Sequence, residues 1–237
     1  MEKGLHYDFM DYEEILKQLK LMGNPKNVEG MARYGINPKN NLGISIYKLR
    51  PLAKEIGKNH ELSLKLWRSG IHDARLLAIF IEDVAKVTEE QMDLWVNDFD
   101  SWDVCDQACT SLFDTSPLAW KKVGDWAGHK EEFVKRAAFS LLAGLAVHDK
   151  TASNEKFTDF SDLLKKHATD ERNYVKKAIN WAVRNIGKRN QFLNKKMIAL
   201  SREMQLIDSK SAKWIANDAI KELTSEKVKQ RLDRKKN

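Results

Sequence analysis

Residues 100–113, DSWDVCDQACTSLF, gather one tryptophan, three aspartates and both cysteines of the chain into one short stretch. Trp102 and Asp106 are four positions apart, which on a helix places them on one side. Cys105 and Cys109 have the same spacing, but a metal site needs more ligands, and His129 and His148 lie far along the chain and apart from each other. Nothing local lowers either thiol pKa, so a nucleophilic role has no support. The cysteines read as small buried apolar residues. Asp100 and Asp103 fall where a helix begins and negative charge is favourable, with Ser101 as a candidate cap. Asp106 falls mid-helix, where aspartate has poor propensity and no capping task. It is the acid with no structural duty visible in the sequence. Trp102 taken alone is a packing residue as readily as a functional one.

Such a carboxylate would act on a substrate that carries or develops positive charge, and the rest of the chain is basic. The net charge is +7 even with 34 acidic residues present. Between Glu171 and Leu200 stand Arg172, Lys176, Lys177, Arg184, Lys188, Arg189, Lys195 and Lys196, with Glu171 the only acid. The tail after Glu226 adds Lys227, Lys229, Arg231, Arg234, Lys235 and Lys236 against Asp233. Two readings stand side by side: a surface for a polyanion such as nucleic acid, or solvated helix faces.

Helices must position these groups. Only 4 Pro and 11 Gly interrupt the chain, and apolar residues recur at three- and four-residue spacing, as in Tyr12, Ile15, Leu16 and Leu19. The run Leu76, Leu77, Ile79, Phe80 and Ile81 predicts a helix buried on nearly all sides. No stretch alternates with period two, so the chain reads as all-α. Breaks fall at 38–43, 57–60, 116–117, 128–129, 149–154 and 187–190, with Asp8, Thr88, Ser116 and Thr169 as candidate N-caps. VKRAAFSLLAGL (134–145) and VKKAINWAVRNI (175–186) align at an offset of 41, and a further step reaches NDAIKEL around Ala219. A period near 40 residues indicates a HEAT-like or armadillo-like array with a concave face. Equivalent helices of such an array would bring Trp102, Asp106, Arg136 and Trp181 together. One carboxylate, one guanidinium and two indoles would suit a cationic substrate on a phosphate backbone.

SWDVCD (101–106), VKRAAF (134–139) and VKKAINWAVR (175–184) resemble the matching segments of the AlkD-type DNA glycosylases, alkylation-repair enzymes built from HEAT-like repeats. GMARYG (30–35) and LGIS (42–45) look like that family's N-terminal segments, though helices over 1–70 match less clearly. The resemblance implies a single α-helical repeat domain over 1–237, with a concave basic groove. It implies hydrolysis of the N-glycosidic bond of cationic alkylpurines, of the 7-methylguanine or 3-methyladenine type, in duplex DNA. Asp106 would stabilise the oxocarbenium-like state and position water, and Trp102 and Trp181 would flank the sugar. Arg136 would hold a phosphate. Lys176, Lys177, Arg184, Lys188 and Arg189 are further candidates for DNA contact. The expectation is a monomer with no cofactor and no metal, working in the cytoplasm at the nucleoid. No apolar run approaches the ~20 residues of a membrane span, and no secretory leader is evident. A DNA-binding relative without excision, and a helical scaffold for an acidic protein or RNA, are the alternatives.

Overall fold

The computed structural model describes residues 11–234, so the expected cap Asp8 and the basic residues Lys235 and Lys236 lie outside the described residues. In chain order the helices are α1 (Tyr12–Met22), α2 (Pro25–Arg33), α3 (Ile46–Ile56), α4 (His60–Arg68), α5 (His72–Ile81), α6 (Glu89–Asn97) and α7 (Trp102–Ser111). They continue as α8 (Ala119–Ala127), α9 (Glu132–His148), α10 (Asn154–Thr158), α11 (Ser161–His167), α12 (Asn173–Gly187), α13 (Gln191–Gln205), α14 (Lys210–Leu223) and α15 (Glu226–Arg234). Among the described residues there is no strand, and no helix is long and apolar enough to cross a membrane.

Helix starts follow short polar side chains. Asp11, Asn59, Thr88 and Asn190 each accept a backbone N–H three residues on, satisfying donors the first turn leaves open. Two expected caps serve otherwise. Ser116 receives the Leu118 N–H within a turn before α8. Thr169 precedes no helix, because Asp170 turns its carboxylate onto Arg172 and Lys135 and α12 begins only at Asn173.

The repeat seen in the sequence is the frame of the fold. The two aligned segments are α9 and α12, which pack against each other, and α14 carries the third copy against α12. The row α5, α7, α9, α12, α14 packs neighbour to neighbour, while α4, α8 and α13 back it on the other side. Within its row α9 is buried along almost its whole length, including Phe139, Leu141 and Leu142. Each helix buries its apolar stripe only against its neighbours, which is the stability logic of a solenoid. The deeply buried run expected over 76–81 is α5.

Candidate functional site

Asp106 lies on α7, Arg136 and Ser140 lie one turn apart on α9, and Tyr174 opens α12. Arg136 donates from Nε to Asp106 Oδ1 at 3.0 Å and from Nη2 to Oδ2 at 2.7 Å. Its Nη1 donates to the Tyr174 carbonyl at 2.7 Å, and the Ser140 hydroxyl donates to Asp106 Oδ1 at 2.9 Å. The Asp106 side chain is 15% exposed and that of Arg136 7%. Burial pushes the Asp106 carboxyl above its ordinary range, while Arg136 and Ser140 pull it back. Burial alone would lower the Arg136 guanidinium, but the Asp106 charge outweighs it and the shift is upward. Three donors aimed at its two oxygens, two of them from a guanidinium, favour the ionised form of the group.

Asp106 therefore does have a structural duty, which the sequence did not show. Arg136 likewise differs from the expected phosphate holder: three of its N–H groups are spent inside the protein. A carboxylate's two oxygens offer about four acceptor positions. Three are filled, and the one left is on Oδ2.

Trp102, Asp106, Arg136 and Trp181 line one cavity of about 970 Å³, as the repeat argument anticipated. Its roof comes from the N-terminal segment. The Trp102 indole N–H donates to the Tyr34 carbonyl at 3.0 Å, and the Tyr174 hydroxyl donates to the Gly35 carbonyl at 3.1 Å. Gly35 has φ +78°, and a Cβ there would fall 1.9 Å from the Tyr174 hydroxyl oxygen. This explains why glycine ends MARYG. The LGIS loop is held from below, with the Leu42 and Ile44 N–H groups donating to Asp73 at 2.6 and 2.7 Å.

The acids flanking Asp106 also anchor this segment. Ser101 makes no cap bond; its hydroxyl oxygen accepts the Asn37 N–H at 2.9 Å, and Asp100 accepts from the Asn37 side chain. Asp103 meets His72 Nε2 at 2.9 Å. Burial would lower His72, yet its hydrogen bond to Asp103 and the negative charges of Asp103 and Asp73 overcome that and hold the ring pKa up at about 9. The cysteines are fully buried behind Asp106, and burial pushes the Cys109 thiol well up. Among the described residues no cluster of three or more His, Cys, Asp or Glu could hold a metal.

The expected DNA contacts on α12 and just after it divide. Arg184 and Lys188 both pair with Glu222 of α14, and Arg184 also lies 3.6 Å from Asp218. Arg189 donates to the Ala146 and Ala152 carbonyls and lies over the Phe157 ring. Lys177 is exposed and lines the cavity, and the Lys176 ammonium stands 5.6 Å from the centre of the Trp214 ring. Sequence reasoning missed Ser140, Tyr174 and Trp214. Ser140 stands one turn after Arg136, a spacing that could have exposed it.

The sequence model of the DNA alkylation repair enzymes matches residues 15–223. The chain belongs to that family. No curated protein sequence matches significantly. Among solved structures, the fold is similar to a protein described as one of a new family related to the HEAT-like repeat DNA glycosylases with affinity for branched DNA structures. The TM-score is 0.80 at 21% identity, covering 94% of this chain and 96% of that one. A designed armadillo repeat protein in complex with a (KR)4 peptide gives a TM-score of 0.34 at 18% identity, over 78% of this chain and 79% of that one. That second likeness carries no weight. For this member of the repair family, the all-α HEAT-like repeat fold is thus established, and its cavity is the place to look for chemistry.

Proposed function

We propose that this chain is a monofunctional DNA glycosylase that hydrolyses the N-glycosidic bond of cationic alkylated purines, of the 7-methylguanine or 3-methyladenine type, in duplex DNA. The observation that carries the reading is a largely buried carboxylate in a cavity that it shares with the Trp102 and Trp181 indoles, within a member of the DNA alkylation repair enzyme family. A cationic purine is already a good leaving group, so no general acid is needed. What needs support is positive charge building on the deoxyribose as the bond lengthens. Asp106 supplies an oriented negative charge in a partly water-excluded site, where it acts more strongly than in solvent. Its open position on Oδ2 can hold the attacking water. The Trp102 and Trp181 rings add attraction for the cationic sugar. Arg136 acts as a positioning residue, fixing the carboxylate through two parallel bonds.

The test is release of free 7-methylguanine or 3-methyladenine from a methylated duplex. No release over long incubation at high enzyme concentration overturns the reading. One observation favours a second reading, DNA binding without efficient excision: Arg136 neutralises much of the charge that Asp106 would present to the sugar. Tight duplex binding with no release would select it.

A further inference from the structure

The cavity has a feature that the proposed chemistry does not use. Trp214, on α14, lines the same cavity as Asp106 and Trp181 but is 41% exposed. Trp181 is partly buried against the hydrophobic core, whereas Trp214 is exposed although its neighbours Ile215 and Ala216 are fully buried. An indole left in water gives up the burial that usually keeps it in a fold. Lys176 stands over the ring at 5.6 Å and Lys177 lines the same cavity, while the cavity's Asp218 lies 3.6 Å from Arg184. The cavity, about 970 Å³, is at the upper end of the ~300–1,000 Å³ of sites that enclose whole small molecules.

We infer that Trp214, with Lys176 and Lys177, forms a subsite for an unpaired nucleobase and its phosphate. A free aromatic face with lysines at its edge is how proteins hold bases outside a duplex: the base stacks and the ammonium groups meet the backbone. On binding, the Lys176 ammonium leaves the ring for the phosphate and the base takes its place, so the cation–π contact is exchanged for stacking plus an ion pair. A fully paired duplex shows the protein base edges and backbone but no base faces. The ligand is therefore a nucleotide without a partner, at a bulge or opposite a missing base. Loss of a purine would itself create one. The inference rests on the reading of this cavity as a DNA site.

The experiment compares binding of the full chain to two duplexes by fluorescence anisotropy, one fully paired and one with a single bulged 2-aminopurine, while 2-aminopurine emission is followed. The bulged duplex is expected to bind about tenfold more tightly, with quenched emission, as one base–aromatic stack should give. Trp214→Ala should abolish both effects, and Trp214→Phe should restore part of them. Equal affinity for the two duplexes, or an unchanged preference in Trp214→Ala, overturns the subsite. Base release without any bulge preference overturns the subsite alone, and absence of affinity for either duplex overturns the DNA reading with it.

Discussion

Arg136 holds Asp106 by two parallel hydrogen bonds of 3.0 and 2.7 Å, so the acid assigned to chemistry is also half of a buried ion pair. Removing one member strands the other in a poorly solvated place. Asp106→Asn should stop base release and also lower stability by about 3–5 kcal/mol. Asp106→Asn combined with Arg136→Met should recover part of that loss while release stays absent. Thermal melting beside the release assay separates the two roles. A double variant no more stable than the single one contradicts this account of the pair.

Gly35 joins the N-terminal turn to Tyr174 at a left-handed φ of +78°. Gly35→Ala should cost more than about 1 kcal/mol, since the side chain strains the backbone and collides with the Tyr174 hydroxyl. Limited proteolysis should then cut between Met31 and Asn41 sooner than in the parent. An unchanged cutting pattern counts against the turn as the roof of the cavity.

His72 is raised from 6.5 to about 9. A raised folded-state pKa stabilises fully below the unfolded value and is lost as pH rises through the folded one. That contribution, on the order of 3 kcal/mol, should be complete below pH 6.5 and fade toward pH 9 and above. Melting temperature from pH 6 to pH 10 should fall further in the parent than in His72→Gln. Parallel curves argue against the coupling of His72 to Asp103 and Asp73.

Lys177 lines the cavity, whereas Arg189 is spent on two backbone carbonyls. Lys177→Ala should weaken duplex binding and reduce the salt slope of log K by about 1. Arg189→Ala should mainly lower the melting temperature. A Lys177 variant with the parental slope removes that residue from the DNA surface.

The fold was legible because its cause is local: apolar spacing within each helix and the repeat of 41 residues, which α9 and α12 embody. The gathering of Trp102, Asp106, Arg136 and Trp181 followed from that same periodicity. What stayed hidden depends on partners far along the chain. Asp106 reads as unemployed in sequence because Arg136 reaches it from 30 positions away. Ser101 reads as a cap, yet it serves Asn37 across 64 positions. Arg184 and Lys188 read as free cations because Glu222 belongs to another repeat. Spacing predicts which face a residue occupies, but not which side chain claims its hydrogen bonds.

The bond from Tyr174 to the Gly35 carbonyl spans 139 positions of the chain. Repeats of this kind can fold one beside the next, each satisfied by its neighbour. Closure between distant segments is slow, because chain entropy is lost before the contact forms. The roof over Asp106 thus exists only after the array has wound far enough to bring α2 opposite α12. A full-length chain stalled part-way in folding carries every residue of the cavity without the cavity itself. Winding of the array as far as α12 is the condition for a roofed site.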